Sequence, residues 1–137
     1  MDNMQTIVER DRDLAKDYFD ASADGDTNML ASIFTEDIIW HQSGSNSLSG
    51  TYRGTDEVFG LFKQFMDRGE GSFRIDEVND IMENGDLIAA VVHSSAKQPG
   101  GNISVSGVGV MRVDNGRIAE MWLFSSDQEA EGRFWNK

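Results

Sequence analysis

Cysteine is absent from the 137 residues, which excludes disulfides, thiol chemistry, thiolate zinc sites and iron–sulfur ligation. Basic residues are few. Twelve Lys+Arg stand against 24 Asp+Glu, a formal charge of −12 that repels phosphate backbones and anionic lipid surfaces. Neither nucleic acid nor membrane is expected as a partner. The stretch MDNMQTIVERDRDLAKDYF puts charge into every turn and lacks the apolar run of a signal peptide or a spanning helix, so a cytoplasmic location is expected. Histidine occurs only as His41 and His93, separated by several elements and without HExxH spacing, too few for a site needing three or four convergent ligands. Gly107-Val108-Gly109 is no dinucleotide fingerprint, because a strand surrounds it. No metal and no cofactor are expected. What is present suffices for a core: 39% of the residues are hydrophobic, and the length fits one domain spanning residues 1–137.

Residues 4–23 place Ile7, Val8, Leu14, Ala15, Tyr18, Phe19 and Ser22 on one face, with Glu9, Arg12, Asp13 and Lys16 largely on the other, which predicts an amphipathic helix. Gly25 ends it, and Asp26 caps a shorter helix whose inward stripe is Met29, Leu30, Ile33 and Phe34. Ile38, Ile39 and Trp40 read as a short strand. Residues 43–50 are Ser, Gly and Asn with one Leu, the composition of a mobile surface loop. Thr55 is positioned to cap a third helix, in which Asp56 and Glu57 suit the positive end of the dipole and Val58, Leu61, Phe62, Phe65 and Met66 form a buried stripe.

After Gly71 the pattern changes to strands: residues 73–82, 87–96, 103–113 and 118–124, joined by Asn84-Gly85, Pro99-Gly100-Gly101 and Asn115-Gly116. Asn-Gly is a strong hairpin signal, because both residues tolerate positive φ. An antiparallel meander follows. Ser126 and Glu129 match a capping box for a closing helix that contains Ala130, Phe134 and Trp135. Helices segregated from the sheet argue α+β, a curved antiparallel sheet wrapped around N-terminal helices and leaving a cone with a mouth.

Tyr18, Ala23-Asp24-Gly25-Asp26, Ile33-Phe34-Thr35-Glu36-Asp37 and Trp40-His41 resemble the opening of the nuclear-transport-factor-2-like (NTF2-like, cystatin-like) superfamily. Leu48-Ser49-Gly50-Thr51-Tyr52-Arg53-Gly54, Asp114-Asn115-Gly116-Arg117-Ile118 and Glu120-Met121-Trp122 look like its polyketide-cyclase branch, called SnoaL-like. The resemblance covers nearly the whole chain. It implies the cone fold, and it leaves the activity open, because that superfamily hosts isomerases, cyclases, dehydratases, epoxide hydrolases and binding domains. Ketosteroid isomerases of the superfamily use a first-helix tyrosine, an aspartate base and a protonated aspartate. Matched without gaps, these positions fall on Tyr18, Gln42 and Gly109. The cyclases carry an acid–base aspartate after the last-strand Trp, where this chain has Leu123.

With Tyr18 and Gln42 inward as the resemblance implies, strand alternation brings Ile38 and Trp40 to Gln42, and Val105, Gly107, Gly109 and Met111 to Met121, Leu123 and Ser125. Gly107 and Gly109 either leave room for a flat ligand or mark a bulge. Tyr18 is either an oxyanion donor or a core tyrosine. His41 is either an acid–base group near the mouth or a histidine bonded at a subunit interface, since alternation turns it away from Gln42. Tyr52 and Arg53 either gate the mouth or stay solvated, and His93 reads as structural, opposite Val92 and Ser94. Three functions follow. The first is a cofactor-independent cyclase, isomerase or hydratase acting on a lipophilic molecule, with catalytic His41 and Tyr18 and substrate-binding Trp40, Gln42, Tyr52, Gly107, Gly109, Met111, Met121, Leu123 and Ser125. The second is a binding protein for a hydrophobic metabolite, and the third a protein-interaction module. Val108, Val110, Trp122 and Phe124 point outward together, so a homodimer is expected.

Overall fold

The computed structural model describes residues 3–136, with side chains from Asp11 onward; Ile7, Val8 and Glu9 of the first amphipathic pattern therefore lie outside the described side chains. Helix α1 (Asn3–Asp24) is followed by α2 (Thr27–Ile33), whose N-cap is Asp26, its carboxylate accepting from the Met29 N–H at 3.0 Å. Two members of the expected α2 stripe fall elsewhere. Met29 is 45% exposed, and Phe34, which continues the helical spacing, is the first residue of strand β1 (Phe34–Gln42) and wholly buried. Its extended backbone stops the helix, and pairing with Ile118 fixes it there.

Strand β1 is longer than the three residues expected, and β2 (Gly50–Arg53) forms an edge hairpin with it that the composition did not announce. The loop before β2 is pinned. Leu48 is buried, Tyr52 donates to its carbonyl at 2.8 Å, and the Ser47 N–H donates to the Asn136 side chain at 2.7 Å. Helix α3 (Gly54–Arg68) is not capped by Thr55. Arg53 is the N-cap without a side-chain bond of its own, and the Glu57 carboxylate reaches back to accept its N–H at 2.9 Å. Val58, Leu61 and Phe65 are buried as expected, while Met66 is 43% exposed.

Strands β3 (Arg74–Asn84), β4 (Leu87–Gln98), β5 (Gly101–Asp114) and β6 (Arg117–Ser125) form the antiparallel meander. Asn115 and Gly116 both have positive φ, 52° and 81°, the twist-matching hairpin turn that dipeptide signals. Helix α4 (Gln128–Trp135) is capped by Asp127, one residue later than the expected box at Ser126, with its carboxylate accepting the Ala130 N–H at 3.0 Å.

The six strands lie in the order β2-β1-β6-β5-β4-β3, with β1 parallel to β6. Register shifts between Phe34 and Ile39, at two places in β3, and between Arg112 and Val113 are bulges, which bend and twist strands. The sheet curves around α1, α2 and α3. Its inner face buries Phe34, Ile38, Ile88, Met111, Ile118 and Met121 against Val58 and Leu61 of α3. The outer face carries Val108, Val110 and Trp122, half-buried, and Phe124, which is 56% exposed. Among the described residues no helix is long and apolar enough to cross a membrane.

Candidate functional site

Between the helices and the inner sheet face lies a cavity of about 920 Å³. Its walls differ in chemistry. Helices α1 and α3 supply Tyr18, Phe59, Phe62, Phe65 and Met66, and α4 supplies Glu131 and Trp135; the strands supply Trp40, Gln42, Val92, Ser94, Val105, Gly107, Leu123 and Ser125.

The Tyr18 ring is buried against Phe34, at 5.9 Å between centroids, and Trp40, at 6.5 Å. Its hydroxyl has no hydrogen-bond partner among the described residues. Burial pushes its ionisation above the ordinary tyrosine range, so the group is a donor rather than a base. Trp40 stands edge-on to Phe62, at 5.0 Å, and its indole N–H donates to Gln42 Oε1 at 3.0 Å. Indole is a donor only, so this contact orients the Gln42 carboxamide and leaves its NH₂ unpartnered among the described residues. The Glu131 carboxylate accepts the Trp135 indole N–H at 2.8 Å within the cavity wall.

Tyr52 also titrates late, because partial burial raises it more than Arg68 lowers it. An ultraviolet titration is expected to show both tyrosines displaced above the ordinary value of ~10, with the later step missing in Tyr18→Phe. The unfolded chain ionises Tyr18 first, so stability falls as pH rises above ~10, and less steeply in that variant. An equal slope in the two proteins would place the hydroxyl in water.

Tyr18, Trp40, Gln42, Gly107, Leu123 and Ser125 meet on the cavity as the sequence reading placed them. Five others do not line it. His41 projects from the opposite face of β1: its Nε2 is 2.6 Å from Glu120 Oε2, its Nδ1 3.3 Å from Thr51 Oγ1, and its ring stacks on Trp122. Met111, Met121 and Gly109 share the inner face but are buried beneath the cavity floor. Tyr52 spends its hydroxyl on the Leu48 carbonyl and braces the loop. Cavity residues not anticipated include Phe59, Phe62, Lys63, Met66, Val92, Ser94, Lys97, Glu131 and Trp135. The α3 stripe was visible as apolar spacing, and the inward parity of Val92 and Ser94 followed from His93; nothing local distinguished a cavity wall from core.

An α+β roll whose sheet cups one large cavity is an architecture that holds small molecules between its layers. Residues 15–121 match the family model of the SnoaL-like domain, and the chain belongs to that family. A solved protein of unknown function from Xanthomonas campestris, described as having a cystatin-like fold, is 37% identical and superposes with a TM-score of 0.89 over 93% of this chain and 98% of its own. An uncharacterized protein of Mycobacterium tuberculosis is 28% identical over 126 residues, covering 91% of this chain and 95% of that protein. TerC, crystallised with polyporic acid, shares 15% identity and a TM-score of 0.81 over 93% of this chain and 99% of its own.

Proposed function

We propose that the chain binds a lipophilic small molecule in the inner-face cavity and donates hydrogen bonds from Tyr18 and Gln42 to an oxygen of that ligand. The observation that carries this reading is the Tyr18 hydroxyl, set in a buried aromatic surround and left without a protein partner among the described residues. The hydroxyl opens onto the cavity rather than being sealed in the core, so a ligand oxygen or water is what completes it. The aromatic wall of Trp40, Phe59 and Phe62 suits a flat apolar body. The family and the co-crystallisation of TerC with polyporic acid support a small organic ligand.

Binding is favoured over turnover because His41 stands outside the cavity and the matched carboxylate positions hold Gln42, Gly109 and Leu123. One observation supports a second reading, a cofactor-independent cyclase, isomerase or hydratase. Glu131 brings a carboxylate to the wall; with Tyr18 on a ligand carbonyl, it is the group to take a proton from the neighbouring carbon.

The test is a thermal-shift screen of polycyclic ketones beside hydrocarbons of matched shape. A ligand at ~100 times its Kd stabilises the fold by about 2.7 kcal/mol. Tyr18→Phe is expected to weaken ketone binding roughly 3- to 10-fold and leave the hydrocarbons unchanged, the net value of one hydrogen bond. Equal effects on both sets, or no ligand for a folded wild type, would overturn the proposal. Recovered ketone is expected chemically unaltered; a converted product that disappears in Glu131→Gln would move the conclusion to the enzyme reading.

A further inference from the structure

On the outer sheet face, β3, β4 and β5 bring together a second group of reactive side chains. Val92 and Ser94 line the cavity, so His93 projects outward, where its Nδ1 lies 3.2 Å from Asp76 Oδ2 and its Nε2 2.9 Å from Ser104 Oγ. Asp76 Oδ1 accepts from Ser95 Oγ at 3.1 Å and from Arg74 Nε at 2.6 Å. Desolvation opposes ionisation of Asp76, but the bonds from Ser95, Arg74 and His93 outweigh it and hold the carboxyl below the usual range. A carboxylate only accepts, so it places the imidazole proton on Nδ1. Nε2 is then the acceptor, and the Ser104 hydroxyl donates to it. Nucleophile, base and orienting acid thus stand in working order, one from each strand.

Two further features bear on chemistry. Ser104 is exposed and the His93 side chain is 32% exposed, so both are open to solvent. Register pairs Ser95 with Ser104 and Lys97 with Asn102, which puts Lys97 at the side of Ser104 away from His93, where Ser95 and Lys97 also border the cavity. The Lys97 ammonium has no ion-pair partner among the described residues.

We propose that Asp76, His93 and Ser104 form a hydrolytic site for short-chain aryl esters, whose chemistry does not rest on the function argued for the cavity. Ser104 and His93 stand on an exposed sheet surface, which suits a small substrate with a good leaving group. Ser104 Oγ bonds to the carbonyl carbon as its proton passes to His93 Nε2. The carbon–oxygen bond to the aryl group breaks, and the phenol leaves with that proton. Water then adds to the acyl-serine carbonyl, giving a proton to Nε2; the bond to Oγ breaks, the carboxylic acid departs, and Ser104 recovers its proton. Ester and water become acid and phenol.

The full chain, assayed with p-nitrophenyl acetate, is expected to release p-nitrophenol above the buffer rate and to carry an acetyl group on Ser104 in peptide mass spectra. Ser104→Ala and His93→Gln are each expected to lose at least ~100-fold of that rate, the low end of what a general base contributes. Asp76→Asn is expected to lose activity with the acetyl still on Ser104, since it disturbs only the imidazole's orientation. Ser104 is exposed, so its alanine variant should keep the wild-type circular dichroism and melting. An undiminished rate in Ser104→Ala, acetyl found on lysine alone, or no release above buffer would each overturn the proposal.

Discussion

Phe34→Ala is expected to lose about 3–5 kcal/mol of stability, the usual cost of deleting a fully buried aromatic ring. Phe34 is 0% exposed, and its ring lies 5.9 Å from Tyr18, 6.4 Å from Trp40, 6.2 Å from Phe59 and 6.3 Å from Phe62. It is the point where α1, β1 and α3 meet, and no neighbour can close the gap without leaving another element. A domain of this kind has only about 5–15 kcal/mol in total, so the variant is expected to melt on the order of 10 °C lower. Tyr18 and Trp40 rest on this ring, so ligand binding in the cavity should fall with stability. Phe34→Leu keeps most of the volume and should lose a smaller share. Urea unfolding of the three proteins decides it: a loss below about 1 kcal/mol in the alanine variant would mean that the cluster repacks and that Phe34 is not its support.

The same residue shows where sequence reasoning stopped. Met29, Leu30, Ile33 and Phe34 follow helical spacing without a break, and what ends α2 is non-local: Phe34 pairs with Ile118, 84 positions away in the chain, through the parallel contact of β1 with β6. Neither spacing nor composition encodes that pairing. The meander was legible because its signals are local, Asn-Gly turns between alternating strands. The edge strand β2 was not, since four residues carry too little alternation to separate from loop. The 43–50 loop looked mobile from its small polar residues, but one side chain, Leu48, ties it to the core. For the site, parity told which face a residue takes and correctly turned His41 outward; it gave no depth. Met111, Met121 and Leu123 share a face, yet only Leu123 reaches the cavity, because the depth of each position depends on how far the helices stand off the sheet there. Glu131 was invisible as a wall residue, because the docking of α4 rests on Arg68 and Gln98 donating to the Trp135 and Phe134 carbonyls, contacts made across 67 and 36 positions.

Gly107→Ala and Gly109→Ala are expected to act in opposite directions, although both glycines occupy the inner face of β5. They pair with Ser125 and Leu123 on β6. At position 107 an added Cβ would overlap the Phe124 carbonyl oxygen, a backbone atom held in the sheet, so the strands must part or bend. Relief of that kind of overlap costs about 1–3 kcal/mol. At position 109 the nearest atoms are the ends of two side chains, Leu123 Cδ1 and Met121 Sδ, each 3.8 Å away, an ordinary contact. Alanine there loses less chain entropy on folding than glycine and is expected to stabilise by about 0.4–1 kcal/mol. Urea unfolding at equal slopes separates the two substitutions. Opposite signs assign Gly107 to the close approach of β6, which rules it out as space kept for a ligand, and leave Gly109 as the position where the floor beneath the cavity has room for a methyl group. Equal losses at both would mean instead that the curvature of β5 itself requires glycine, whatever lies across from it.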